Sequence, residues 1–182
     1  MFSQTEMSSS DELVSGYRPG LIGDITKLHA TYYFEHWGFH INFETQVATE
    51  LSEFCLRLNP DFDGLWSAYI DGNFLGSIAI DGSMQNTQGA RLRWFIVRPD
   101  FQGTGLGKAL FKTALGFCVE KRLPRIFLWT FKGLEAARHL YEKAGFVITE
   151  DHTFSGWGSD IIEQKFEVDL ETVIRANSYQ GT

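Results

Sequence analysis

The chain has 182 residues, a formal charge of −7 and a hydrophobic content of 43%, which fits one folded domain rather than two cores or a disordered chain. Its 23 acidic residues outnumber its 16 basic ones. This balance disfavours a nucleic-acid-binding protein, whose affinity depends on basic side chains that neutralise phosphates. All apolar runs are shorter than a membrane span, so no membrane partner is expected.

The N-terminal segment and the two cysteines bear on where the protein works. Residues 1–14 lack the basic and apolar regions of an export signal, and we expect them to form a disordered tail. Cys55 and Cys118 lie in apolar, helix-like surroundings without CxxC or Cys/His clustering. We therefore expect free thiols, no metal site and a reducing, cytoplasmic compartment.

Two amphipathic helices are predicted first. Asp24 can cap a helix whose apolar residues recur at helical spacing up to Gly38. The second helix has apolar residues at i, i+4, i+7 and i+11 from Val47, and Pro60 stops the pattern.

The remaining elements mix strands and helices. The predicted strands are 65–70, 74–80, 90–97, 126–130, 146–154 and 161–170, and the predicted helices between them are 106–121 and 134–144. The first two strands form a hairpin around Asp71-Gly72-Asn73. This combination of a meander with strand–helix–strand crossovers predicts an α/β (α+β mixed) domain, with one mixed sheet and helices on both faces. We place that domain at 15–170 and a C-terminal tail at 171–182.

The most informative segment is glycine-rich and runs from Val97 to Lys108, where a strand meets a helix. Glycine permits positive φ and a close approach of the backbone to a ligand. Free N–H groups at the start of a helix form an anion site, so the expected ligand group is a phosphate.

Spacing decides among the phosphate-binding motifs. A Walker A loop fails because Gln102 stands at the position of its first glycine and Ala109 follows the lysine. A GxGxxG dinucleotide motif fails because Lys108 stands where its third glycine is needed. The pattern that remains is Q/R-x-x-G-x-G/A, which Gln102, Gly105 and Gly107 satisfy. The alternative is a glycine-rich turn that binds no ligand.

This loop resembles the hallmark of the GCN5-related N-acetyltransferase (GNAT) superfamily. Residues 140–146 are similar to the family's LYEKxGF segment, and the resemblance extends from about Tyr17 to Leu170. Within the family, Leu128-Trp129-Thr130 and the segment 167–170 are most similar to the acetyltransferase half of MarR-fused members. We expect no winged-helix DNA-binding half.

The resemblance implies an acyl-CoA N-acyltransferase fold with a central, mostly antiparallel sheet. It also implies transfer of the acetyl group of acetyl-CoA to a primary amine of a small molecule or peptide, by direct attack in a ternary complex. The residues expected to bind acetyl-CoA are Phe95, Ile96, Val97, Gln102, Gly103, Thr104, Gly105, Leu106, Gly107, Lys108 and Thr130. Many members have a cofactor-contacting asparagine where this chain has Leu134, and Thr130 is the proposed substitute.

The resemblance also suggests groups for the chemistry. Tyr141 is the expected general acid, and the alternative is that it is only a core aromatic residue. Glu35 and His36 are candidates for the base, against the alternatives of a solvated helix face or a water chain. Aromatic residues that could line an acceptor pocket, or simply pack in the core, are Trp37, Phe39, Trp94 and Trp157.

Two other functions stay open at this point: a non-catalytic acyl-CoA sensor and a partner-binding module that keeps the fold. Nothing in the sequence fixes the acceptor, although the acidic charge favours cationic amines. The oligomeric state is not readable, and a homodimer is compatible with the sequence.

Overall fold

A computed structural model describes residues 11–178, which form one seven-stranded sheet and five α-helices. The strands are β1 Asp11–Ser15, β2 Gly64–Ile70, β3 Asn73–Asp81, β4 Ala90–Val97, β5 Arg125–Phe131, β6 Val147–Phe154 and β7 Ile161–Asp169. The helices are α1 Leu21–Trp37, α2 Ile41–Arg57, α3 Leu106–Glu120, α4 Glu135–Lys143 and α5 Leu170–Ser178.

The sheet has the strand order β1-β2-β3-β4-β5-β7-β6 and is mostly antiparallel. Its single parallel pair is β4 with β5, and α3 makes the crossover between them. The predicted hairpin is confirmed: Asp71 and Gly72 both have positive φ, as the tight turn between β2 and β3 requires. The sequence-predicted mixed α/β fold is therefore confirmed.

Helices cover both faces of the sheet, and a hydrophobic cluster lies under each layer. On one face, α1 and α2 bury residues such as Ile25, Leu51 and Phe54. On the other face, α3 contributes Leu110 and Ala114, and α4 and α5 pack around the same cluster. We call these the α1/α2 face and the α3 face. None of the helices within residues 11–178 has the length and apolarity needed to cross a bilayer.

The expected terminal tails are wrong where the structure describes them. Residues 11–14 belong to β1, which pairs antiparallel with β2 along its whole length. The short edge strand was missed because its sequence shows little apolar alternation and Leu13 stays exposed. Residues 171–178 lie in α5, where Val173 is buried against the α3 face. Residues 1–10 and 179–182 of the expected tails lie outside the described residues.

The start of α1 also differs from the expectation. Asp24 was the predicted cap, but the helix begins at Leu21 and its N-cap is Gly20, with φ of +93°. Asp24 instead lies in the first turn, where a carboxylate interacts favourably with the helix dipole.

Candidate active site

A fork between β4 and β5 opens the sheet at its centre. The two strands pair only from Ala90–Ile126 to Leu92–Leu128. Beyond that point β4 continues to Val97 and β5 to Phe131 without pairing with each other. The unpaired edges border a cavity of about 670 Å³ that extends from the glycine-rich loop to α1 and α2.

A β-bulge in β4 shapes the floor of this fork. Between the pairs Ser77–Ile96 and Ala79–Arg93, β3 has one residue and β4 has two. One of the two, Trp94, has a φ of +44°, and its carbonyl accepts a 2.8 Å hydrogen bond from the buried Ser77 hydroxyl. The bulge directs Trp94 to the α1/α2 face and leaves Phe95 on the α3 face.

The glycine-rich loop and the start of α3 form one end of the cavity. Gly103 and Gly105 have φ of +78° and +95°, which a side chain would strain. A Cβ at either position would meet no protein atom within 4 Å, so both lie against open space. Gln102 Nε2 donates a 3.1 Å hydrogen bond to the Val97 carbonyl and ties the loop to β4.

The start of α3 is suited to an anion. Its N-cap, Gly105, has no capping side chain, so the N–H groups of the first turn have no partner within the helix. Lys108 lies in that turn and lines the cavity. This end therefore fits the phosphates of an acyl-CoA, the ligand that the motif predicts.

Most of the sequence-predicted cofactor residues converge on the cavity. Those that line it are Phe95, Ile96, Val97, Gln102, Gly103, Gly105, Gly107, Lys108 and Thr130. Thr104 and Leu106 belong to the same loop and helix start but do not line it. Leu134 and Thr130 both line it, so the threonine lies where a substitute for the missing asparagine would be needed.

Tyr141, the predicted general acid, comes from α4 and lines the cavity. Its ring packs against Phe95, Phe111 and Phe166, and only 5% of the residue is exposed. Burial raises the pKa of its hydroxyl well above the ordinary value, so the hydroxyl holds its proton at neutral pH. It is both a core aromatic residue and a proton-bearing group at the cavity.

The base candidates from the sequence do not reach the cavity. Glu35 and His36 lie on the exposed side of α1, and neither lines the cavity. The His36 ring donates from Nδ1 to the Tyr32 carbonyl at 2.8 Å. Among the predicted aromatic lining residues, Trp94 and Trp157 line the cavity, whereas Trp37 and Phe39 pack outside it in the α1/α2 cluster.

A carboxylate that the sequence did not reveal lines the cavity from β7. The Glu163 side chain is 18% exposed, and its Oε2 lies 3.2 Å from His152 Nε2 on β6. Desolvation raises the pKa of this carboxyl above the usual value for glutamate. A partly desolvated carboxylate at a cavity wall can accept a proton from an amine.

A charged network from α2 and β4 closes the same end. Arg93 forms ion pairs with Glu50 of α2 and with Asp81 of β3. Gln46 donates to Glu50 at 2.9 Å and accepts from the Trp157 indole N–H at 2.8 Å. Charged residues on a central strand, at Arg91 and Arg93, were the sequence signal that could have identified this end, because such positions are usually apolar.

His29 of α1 also lines the cavity and is buried. Its Nδ1 lies 2.8 Å from the Ile25 carbonyl, so Nδ1 carries the proton. Burial lowers the pKa of this imidazole to about 4, so it is neutral at pH 7.

A sequence profile of the Acetyltransferase (GNAT) family matches residues 23–146. An uncharacterized N-acetyltransferase from Methanocaldococcus jannaschii is 27% identical over 104 residues, which cover 55% of this chain and 45% of the relative. A second uncharacterized N-acetyltransferase, from Archaeoglobus fulgidus, is 30% identical over 88 residues, covering 46% of this chain and 60% of the relative. The chain thus matches about half the length of these curated relatives.

Solved structures with the same fold include two with bound coenzyme. The yncA protein of Salmonella typhimurium, solved with its cofactor acetyl-CoA, superposes with a TM-score of 0.69 at 14% identity, over 89% of this chain and 95% of that one. Spermidine N-acetyltransferase from Vibrio cholerae, in complex with CoA and spermine, gives a TM-score of 0.68 at 20% identity, over 92% and 99%. At these identities the likeness concerns the fold.

Proposed function

The chain belongs to the Acetyltransferase (GNAT) family, and from this premise we propose that it is an acetyl-CoA-dependent N-acetyltransferase. The observation that carries the proposal is the meeting of three features in one cavity. These are the uncapped helix start after the glycine-rich loop, the unpaired edge of β4, and the protonated hydroxyl of Tyr141.

The binding roles follow from the backbone. The N–H groups at the start of α3 would hold the pyrophosphate, with Lys108 beside them. The β4 edge from Phe95 to Val97 lacks a strand partner on the β5 side. Apart from the Val97 carbonyl, which accepts from Gln102, backbone groups on that side would bond an extended ligand arm. Donors on this edge would also polarise a carbonyl placed in the fork.

Acetyl-CoA would supply a thioester whose acetyl group passes to the amine nitrogen while the sulfur leaves as a thiolate. Tyr141 would donate its hydroxyl proton to that sulfur, a role for which its raised pKa keeps it protonated. Glu163 would accept the proton that the attacking amine must lose, directly or through one water. The acceptor would enter between Glu163, Gln46 and Trp157, at the end opposite the loop.

The finer likeness to the acetyltransferase half of MarR-fused members stays a prediction. It rests on two sequence segments, Leu128-Trp129-Thr130 and 167–170.

The proposal is tested by supplying acetyl-CoA with a panel of amines and following both free thiol and acetylated product by mass spectrometry. The panel includes polyamines, because the Vibrio cholerae neighbour is a spermidine N-acetyltransferase. Amine-dependent thiol release with a matching acetylated product is expected. Calorimetric binding of acetyl-CoA without turnover on any amine would support a sensor instead, and absence of binding would support a partner-binding module.

A further inference from the structure

Charged side chains of β4 lie at the acceptor end of the cavity. On β4, Ala90 and Leu92 face the α3 side, so Arg91 and Arg93 alternate with them toward the α1/α2 face. Arg93 is neutralised by Glu50 and Asp81. Its guanidinium is therefore already used within the protein.

Neighbouring cations on this face are used in the same way. Arg57 pairs with Asp81 at 2.6 Å and with Asp63 at 3.4 Å. Lys165 of β7 pairs with Glu150 at 3.0 Å and with Glu167 at 2.8 Å. Asp81 of β3 and Glu150 of β6 are thus both taken up by ion pairs.

Arg91 differs from these cations. Its Nε is buried without a hydrogen-bond partner, and no carboxylate within residues 11–178 lies within 4 Å of its guanidinium. It lines the cavity one residue before the point where β4 and β5 separate. The carboxylates of Glu50, Asp81 and Glu163 act on Arg91 only from beyond that distance. The buried Nε–H therefore has no direct partner in the described chain, and a ligand carboxylate can supply one.

We propose that the acetyl acceptor is an amino-acid-type molecule, whose carboxylate is bound by Arg91 and whose amine is bound by Glu163. This inference rests on the proposed N-acetyltransferase function and names the substrate class of that site. Both side chains line the cavity, and neither takes part in the ion pairs of Arg93 or Lys165. Glu163 lies 3.2 Å from the imidazole of His152. A guanidinium presents two parallel N–H donors that match a carboxylate.

The arrangement disfavours an acceptor that carries only positive charges. A second ammonium group placed near Arg91 would meet a like charge, because the carboxylates that act on Arg91 lie more than 4 Å from its guanidinium. The acceptor expected here is thus opposite in character to the cationic amines that the acidic composition favours.

The test compares each of the twenty amino acids with its own α-amide as acceptor, using the full chain and saturating acetyl-CoA. The amide keeps the amine and side chain but lacks the carboxylate charge. Its amine is less basic, so more of it is unprotonated and able to attack at neutral pH. This difference works against the expected preference for the acid. We expect kcat/KM for the best acid to exceed that of its amide on the order of 10- to 100-fold.

Variants assign that preference to one side chain. Arg91→Met should reduce the acid-over-amide ratio towards one, because KM rises more for the acid than for the amide. Arg91→Lys should keep part of the ratio, because lysine retains the positive charge but lacks the two parallel N–H donors of the guanidinium. Arg125→Gln, at an exposed site paired with Asp169 and outside the cavity, should leave the ratio unchanged.

Contrary outcomes are distinct from a failure of the proposed function. The proposed acceptor class would be wrong if amides or polyamines were acetylated in preference to amino acids. It would also be wrong if Arg91→Met lowered kcat/KM equally for acid and amide. Neither result would contradict the acetyltransferase function. Calorimetry measures the binding of the same acid and amide pairs to the CoA-saturated protein. If no acid binds more tightly than its amide, the proposed acceptor class is wrong. Absence of acetyl-CoA binding would instead remove the proposed function.

Discussion

The Ser77 hydroxyl of β3 donates a 2.8 Å hydrogen bond to the carbonyl of Trp94, the bulge residue of β4. Both residues are buried, and Trp94 holds a φ of +44° that a non-glycine residue adopts only under constraint. The hydrogen bond thus connects an internal polar group of β3 to the backbone conformation at the fork.

Replacing this serine should loosen the bulge. Ser77→Ala leaves a buried carbonyl without its partner, so we expect a loss of about 1–2 kcal/mol in the free energy of unfolding and a higher KM for acetyl-CoA. Ser67→Ala is the matched control, because Ser67 is paired opposite Ser77 and is equally buried but donates to no backbone carbonyl in the described chain. Urea unfolding and steady-state kinetics measure the two effects, and equal losses in both variants would contradict the role of the bond.

The helix start can be tested at Gly107. A Cβ here would make ordinary contacts of 3.6 and 3.7 Å with Val97 and Phe95, whereas Gly105 has a φ of +95° that any side chain would strain. Gly107→Val should therefore fold and lower acetyl-CoA affinity on the order of tenfold or more, because its larger side chain enters the cavity. Gly116→Val, on the same helix with open space around it, should bind as the parent does. Calorimetry compares them, and equal affinities would disprove the loop assignment.

The two ends of the cavity differ in how far the sequence could predict them. The loop was predictable because Gln102, Gly105 and Gly107 are close in sequence and only a few phosphate motifs share their spacing. The acceptor end combines Gln46, Arg91 and Glu163 from one helix and two strands that are distant in sequence. No local pattern encodes that arrangement. The resemblance to the family pointed instead to Glu35 and His36 on α1.

The pH dependence of turnover should reveal Glu163. A base must be ionised, so the rate falls as pH drops through its pKa, and desolvation places that acid limb above the ordinary range for glutamate. Glu163→Gln should remove this limb and reduce kcat. Glu150→Gln, an exposed carboxylate on β6 outside the cavity, should keep it. An unchanged limb in Glu163→Gln, measured as kcat/KM against pH, would exclude Glu163 as the base.

His29 should make the fold sensitive to acid. Its pKa is lowered from 6.5 to about 4, so between these values the unfolded chain binds more protons and stability falls as pH falls. The shift corresponds to about 3 kcal/mol, present above pH 6.5 and lost by about pH 4. His29→Asn should flatten this window. His36→Asn is the control, because it removes a ring bonded to a carbonyl in the same way from an exposed site of α1, and it should leave the pH dependence of stability unchanged. Urea unfolding at each pH measures both variants.

Tyr141→Phe separates the two roles of that side chain. The ring keeps its packing against Phe95, Phe111 and Phe166, while the cavity loses its proton donor. We therefore expect unchanged acetyl-CoA affinity and a single-turnover rate lower by about 10²- to 10⁴-fold.

Tyr69→Phe changes an equally buried tyrosine of β2 that lies outside the cavity, and its rate should match that of the parent. Because burial keeps the pKa of Tyr141 above the ordinary value, its loss should lower the rate across the whole neutral range instead of adding a new pH limb. If the folded, acetyl-CoA-saturated Phe variant reacts at the parent rate, the hydroxyl takes no part in the chemistry. Catalysis would then come from the backbone of β4 and from holding the two reactants together in the fork.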